Sequence, residues 1–345
     1  MGDCFVAALL AMTAYLFIVA SEAKHLVRQE NEPLSPVIVV AGPTASGKSA
    51  LALELAAARG GTIINADSQQ IYRDLKILSA QPDAAAMARA PHRLYGFLDA
   101  AERGSVALWR EQALAEIGAA HRSGSLPFLV GGTGLYLRAL ERGLAAVPAI
   151  PAAIRAEATE LYEQIGGTAF RERLAAVDPN AASRLPAGDR QRLLRAWEVV
   201  QATGKPLAEW QRRGGHNRAP FRIAIILIMP PRGILYAACN CRFEAMIAAG
   251  ALEEARALMA RHLPPDLPAM KGVGVPELMR HLRGEIGLDE AVALAQRATR
   301  RYAKRQMTWF RHQIVGSVVF EQQFSPSMFA QANDFIGQFL LTHSG

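Results

Sequence analysis

The chain has 345 residues, about half of them apolar, and carries 38 Lys and Arg against 31 Asp and Glu for a formal charge of +7. That is enough apolar sequence for one large core, or for a core with an inserted unit, so the chain should fold unaided. The basic balance suits a polyanionic partner such as nucleic acid, or an enzyme of phosphorylated substrates. The three cysteines, Cys4, Cys239 and Cys241, are too few and too badly spaced for a disulfide framework or a zinc site, which fits a reducing intracellular setting.

Residues 5–20 form an unbroken apolar run. It falls short of the roughly twenty residues of a membrane span and lacks the leading positive charge of a signal peptide, since only Asp3 is charged before it. Residues 1–36 therefore read as an extension outside the fold, with a membrane-targeting segment as the alternative. Residues 37–41 are β-branched and apolar on both faces, as a central strand of a parallel sheet must be. A glycine-containing loop follows at 42–49, then helical spacing from 50 to 59, closed by Gly60-Gly61. Further strands are predicted at 62–66 and 126–130, with a helix over 107–120 between them. Such alternation implies a doubly wound α/β sheet. From about 148 to 205 only helical periodicity remains, broken by turns at Gly166-Gly167 and Asp178-Pro179, and this stretch reads as an all-helical insertion domain. A strand returns at 221–229, followed by helices over 234–250, 252–262 and 288–310. The organisation expected is a core of 37–147 and 206–322, an insertion at 148–205 and a tail at 323–345.

The loop Gly42-Pro43-Thr44-Ala45-Ser46-Gly47-Lys48-Ser49 has the Walker A pattern between a strand and a helix. Its glycines let backbone N–H groups turn toward a phosphate, the helix N-terminus adds a favourable field, Lys48 offers a positive charge and Ser49 can ligate Mg²⁺. The loop leaves open whether the phosphate belongs to ATP, GTP or another diphosphate ester. Asp67-Ser68 lies beyond the second strand, in the crevice where open α/β sheets bind ligands. A carboxylate there suits a general base or a magnesium ligand; an N-cap or turn aspartate is the plain alternative. Gly131-Gly132-Thr133-Gly134 is a second glycine turn at a strand end, and a tight packing turn explains it equally well. Arg190, Arg192 and Arg195 crowd the start of one helix. Arg297, Arg300, Arg301, Lys304 and Arg305 follow one face of another, with no acid between Ala291 and Phe320. Such runs are either solvated helix faces or RNA contacts.

Taken in order, these pieces resemble the tRNA dimethylallyltransferase (isopentenyl transferase) family from Val37 to about Phe320. Besides the Walker loop, the stretches that carry the likeness are Asn65-Ala66-Asp67-Ser68-Gln69-Gln70-Ile71-Tyr72, Ala90-Pro91-His92-Arg93-Leu94-Tyr95, Leu129-Val130-Gly131-Gly132-Thr133-Gly134-Leu135-Tyr136, Asp189-Arg190-Gln191-Arg192-Leu193-Leu194-Arg195 and Ala303-Lys304-Arg305-Gln306-Met307-Thr308-Trp309. The resemblance implies a P-loop NTPase-like parallel sheet flanked by helices, with an all-helical insertion. It also implies transfer of a dimethylallyl group from dimethylallyl diphosphate to N6 of adenosine 37 in the tRNA anticodon stem-loop, with Mg²⁺, by a cytoplasmic monomer. In that reading Asp67 is the base and Thr44 meets the bridging oxygen. Residues 42–49 and Arg232 hold the diphosphate, with Ser49 on the metal. Asp67, Ser68, Gln69, Gln70, Thr133, Arg155, Gln191, Arg192, Leu193, Leu194 and Arg195 contact the tRNA. The sequence departs from the family pattern at Ala238, where an arginine is usual, at Gln81, where Lys or Arg is usual, and after Gly274. A small-molecule P-loop kinase and a catalytically impaired tRNA-binding homologue remain as alternatives.

Overall fold

The computed structural model describes residues 34–213, 221–314 and 318–342; the N-terminal apolar run lies outside them. Six strands, β1 (Ser35–Ala41), β2 (Thr62–Asn65), β3 (His92–Arg93), β4 (Pro127–Gly131), β5 (Phe221–Ile228) and β6 (Val318–Phe320), form one sheet of order β3-β2-β4-β1-β5-β6. Every pairing is parallel, and β1 lies at the centre, with Val40 opposite Val130 on one side and Ile226 on the other.

Helices cover both faces of the sheet. Around the first half of the sheet they are α1 (Lys48–Arg59), α2 (Ala84–Arg89), α3 (Val106–Arg122) and α4 (Gly134–Arg142). Alternate residues of β1 divide between the two layers, as the pleat requires. Ile38 and Val40 pack with Leu51 and Leu55 of α1, whereas Val37 and Val39 pack with Trp109, Ala113 and Ile117 of α3. Burial on both sides is why residues 37–41 read as an uninterrupted apolar run.

The stretch from 148 to 205 is helical, as its periodicity predicts. It comprises α5 (Ala152–Val177), α6 (Pro179–Arg184) and α7 (Arg190–Thr203), with α8 (Leu207–Arg213) just beyond. Helix α5 breaks at Gly166, one of the predicted turn glycines. Asp178 and Asp189 cap α6 and α7 by accepting from Ala181 N–H (2.9 Å) and Arg192 N–H (3.3 Å). These helices share an apolar cluster of their own around Phe170, Leu174, Leu193 and Leu194.

The remaining helices are α9 (Arg232–Ala248), α10 (Ala251–Ala260), α11 (Val275–Leu282), α12 (Leu288–Gln313) and α13 (Ser327–Leu341). Two of these fall where no element was expected. Helix α11 has only eight residues and starts at Pro276's turn, too short for a clear period. The expected tail contains α13, whose Met328, Ala332 and Ile336 are buried at four-residue spacing against the α1 layer. Arg59 of α1 ties it down, donating to the side chain and the carbonyl of Asn333 at 2.7 and 2.6 Å.

Candidate active site

A cavity of about 510 Å³ opens where the carboxyl ends of β1 and β2 meet α9 and α12. Its lining includes Thr44, Lys48, Ser49 and Asp67 together with apolar side chains such as Leu75, Leu78, Phe243 and Met246. The Walker loop and Asp67 thus share one space, the crevice that parallel sheets offer to ligands.

Lys48 is buried, its Nζ 3.4 Å from the Pro43 carbonyl. Burial pulls its pKa down to about 8; Asp67 opposes that shift and Arg242 adds to it. Arg242 reaches in from α9, donating to Thr44 Oγ1 at 3.1 Å and to the Ser79 carbonyl at 3.5 Å. Burial lowers its pKa as well, and Asp67 again acts the other way. A buried lysine and a half-buried arginine near one carboxylate leave the cavity short of negative charge, which is the electrostatics of an anion site.

Asp67 stands at the end of β2 and is held on both sides. Its N–H donates to Asn65 Oδ1 (2.8 Å) and its Oδ1 accepts from Gln69 N–H (3.0 Å). Asn65 is itself pinned, donating to the carbonyls of Asp67 and Leu94 while its own carbonyl accepts from Trp109 Nε1 at 2.7 Å. Asp67 Oδ2 has no hydrogen-bond partner among the described residues, so one carboxylate oxygen is free for a substrate proton. Asp67 orders its turn with one oxygen and leaves the other on the cavity side.

The second glycine turn is a packing turn that serves the site. An added Cβ at Gly132 would lie 2.3 Å from Gln306 Nε2, and one at Gly134 would lie 2.2 Å from the Trp309 ring. The indole of α12 therefore rests on the backbone of Gly134, which links two motifs far apart in sequence. We expect Gly134→Ala to destabilise the protein by about 1–3 kcal/mol through overpacking, measured by urea denaturation. Thr133, between these glycines, accepts from Ser68 N–H (2.9 Å) and donates to Ser68 Oγ (3.2 Å).

Sequence reasoning gave Gln306 no role. Its buried amide accepts from Thr44 N–H (2.8 Å) and donates to the Gly132 carbonyl (2.9 Å), tying the phosphate loop to the β4 turn. Arg232, expected at the diphosphate, is an exposed residue at the start of α9, away from the cavity wall. Arg242 occupies the cavity instead, one turn beyond Ala238, which lines the same wall. Gln81 donates to the carbonyls of Tyr72 (2.8 Å) and Leu75 (3.3 Å), so the amide bonds the loop backbone without needing a charge.

The expected tRNA contacts fall into three groups. Asp67, Ser68, Gln69 and Thr133 sit in or beside the crevice. Gln70 lines it too, but its side-chain amide is spent on the Ser79 (3.1 Å) and Ala80 (2.7 Å) carbonyls. Gln191 and Arg192 are exposed on the first turn of α7, and Arg195 lies 3.7 Å from Glu198, whose carboxyl also feels Arg155. Leu193 and Leu194 point inward into the helical cluster, so their side chains are core residues and not RNA contacts. On α12, Arg297, Arg301, Lys304 and Arg305 are exposed, while Arg300 turns inward to Asn240 Oδ1 at 2.6 Å.

Oxygen donors that suit Mg²⁺ are present in the Ser49 hydroxyl and the Asp67 carboxylate, both on the cavity wall. Among the described residues no group of three His, Cys, Asp or Glu side chains is arranged to hold a metal. That sparse set fits an ion that keeps waters and takes further oxygens from a bound diphosphate.

The family model described as IPP transferase matches residues 70–313. A tRNA dimethylallyltransferase of Rhodospirillum centenum is 56% identical over 287 residues, 83% of this chain and 91% of that protein. Another, from Paramagnetospirillum magneticum, is 51% identical over 89% of this chain and 98% of its own length. Among solved structures, a tRNA isopentenylpyrophosphate transferase from Bacillus halodurans superposes with a TM-score of 0.65 at 31% identity, over 89% of this chain and 97% of that one. A eukaryotic dimethylallyltransferase acting on tRNA gives a TM-score of 0.74 at 25% identity, over 88% and 80%. With that likeness running through the sheet, the phosphate loop and the helices around the cavity, the chain belongs to the IPP transferase family.

Proposed function

We propose that this protein transfers a dimethylallyl group from dimethylallyl diphosphate to N6 of adenosine 37 in tRNA, releasing diphosphate. The observation that carries the reading is a single cavity holding Lys48 and Arg242 beside an apolar wall, with the free oxygen of Asp67 facing the same space. A diphosphate matches the cations and a five-carbon chain matches the apolar side.

The N6 lone pair is delocalised into the adenine ring, so a positioned base assists its attack. N6 forms a bond to C1 of the donor, the C1–O bond breaks with its electron pair passing to the diphosphate, and Asp67 takes the N6 proton. Arg242 donates to Thr44 Oγ1, which leaves the threonine's own proton free to meet the bridging oxygen as it gains charge. Lys48 and the loop amides spread the rest of that charge. Ser49 would hold Mg²⁺, which when bound would supply further neutralisation of the departing diphosphate.

The target base must leave its stack to enter the crevice. Gln191, Arg192, Arg195 and Arg155 on the helical insertion, and the exposed basic face of α12, supply cationic surfaces suited to the phosphates of an anticodon stem-loop. Incubation of the protein with an unmodified stem-loop, dimethylallyl diphosphate and Mg²⁺ should give N6-dimethylallyladenosine by nucleoside mass spectrometry. No product beside an active control overturns the reading. Tight RNA binding without product would assign an impaired homologue, and transfer of the ATP γ-phosphate to a small molecule would assign a kinase.

A further inference from the structure

After β6 the chain folds back over the outer side of the phosphate loop. Gln323 Nε2 donates to the Ala45 carbonyl at 2.8 Å, and Phe324 N–H donates to the Ser46 carbonyl at 3.4 Å. Phe324 also rests on Gly47, where an added Cβ would stand 2.3 Å from the phenylalanine Cβ. Three consecutive loop residues are thus covered by two residues that lie beyond the span matched by the family model. Gln323 lines the same cavity as Lys48 and Thr44.

Ala45 gives this contact its importance. It is a non-glycine residue at φ 62, in the left-handed region that L-residues resist, and it adopts that conformation in the loop meant to wrap a phosphate. The Gln323 amide holds its carbonyl. The other atom of that amide, Oε1, is buried without a partner among the described residues, and reversing the amide would set two oxygens against each other and lose the bond to Ala45.

We propose that Gln323 is a positioning residue of the donor site: by anchoring the Ala45 carbonyl it keeps the left-handed loop conformation on which diphosphate binding depends. This rests on the diphosphate reading above. Phe324 seals the loop at Gly47, where no side chain fits beneath it.

The test is calorimetric titration of dimethylallyl diphosphate with Mg²⁺ into wild type, Gln323→Ala and Gln323→Glu, together with steady-state kinetics. Gln323→Ala should raise donor Kd and KM about tenfold, the loss of one hydrogen bond, with kcat and tRNA affinity within about twofold. Gln323→Glu should do worse, since its carboxylate faces a carbonyl oxygen. Because glycine adopts φ 62 unaided, the Gln323→Ala effect should shrink to about twofold when measured between Ala45→Gly and the double variant. A purely structural role for Gln323 predicts no such rescue. Wild type that binds no diphosphate overturns the diphosphate reading itself. Binding by wild type with an unchanged Gln323→Ala constant, or a loss that Ala45→Gly leaves at full size, overturns the positioning role alone.

Discussion

Asp67→Asn is expected to lower kcat about a thousandfold, within the range that general-base removal typically produces. Asparagine keeps an oxygen at the position that accepts from Gln69 N–H, so the turn after β2 survives. What it loses is the oxygen that has no partner among the described residues, the proposed acceptor for the N6 proton, and the charge that opposes the lowering of the Lys48 and Arg242 pKa values. With that carboxylate gone, the two cations meet an incoming diphosphate without internal competition, so donor affinity should hold or improve while turnover collapses. tRNA affinity, which we assign to surfaces on α7 and α12, should stay within about twofold. Single-turnover assays separate these quantities, and activity within tenfold of wild type would remove the base assignment. Asp67→Ala should be equally inactive but less stable, because it also abandons the Gln69 N–H.

The parts of this site that could be read from the sequence share a physical reason: each announces itself locally. The Walker loop needs its residue types in a fixed spacing between a strand and a helix, and β1, buried on both faces, leaves an unbroken apolar run. Asp67 follows directly from the end of a strand. Gln306 and Gln323 announce nothing. They are neutral amides whose partners in the phosphate loop lie 262 and 278 residues away, so only the closed fold gives them work.

The choice between Arg232 and Arg242 was partly legible. The buried stripe of α9 runs through Leu235, Cys239 and Phe243, and helical phase places Ala238 and Arg242 beside that stripe, with Arg232 at the solvent end. Leu193 and Leu194 carried a signal too, since apolar residues on an amphipathic helix belong to its core side whatever motif encloses them. Strands β3 and β6, two and three residues long, offer no period to detect, and they exist because β2 and β5 present edges to pair with. Helix α13 was hidden by its position at the end of the chain. Its apolar side chains cover the face of α1 and so brace the helix that follows the phosphate loop.

Lys48 should impose a pH break on donor binding. With its pKa held near 8, the ammonium is present below that pH and is lost above it in the free protein. Bound diphosphate favours the charged form, so affinity should be level below pH 8 and fall by up to about tenfold per pH unit above it. Lys48→Arg keeps its charge and should lose the break. Lys48→Met should lose it as well, at a cost of about a hundred- to a thousandfold in kcat/KM, because Arg242 is then the one side-chain cation among the cavity-lining residues left to meet the departing diphosphate. The same lysine acts in the opposite direction on stability. Its pKa is lower in the folded protein than the 10.5 of the free side chain, so the unfolded chain binds more protons between pH 8 and 10.5. Through this group stability rises with pH across that window, and below pH 8 the folded protein bears the full cost of a buried ammonium. Lys48→Met should therefore melt at a higher temperature than wild type at pH 7 in the absence of donor, an advantage that saturating diphosphate should reduce or reverse by binding wild type more tightly. Thermal melts at pH 7, with and without dimethylallyl diphosphate, check both signs. A variant less stable than wild type without donor would show that Lys48 is held in the loop by more than the carbonyl of Pro43.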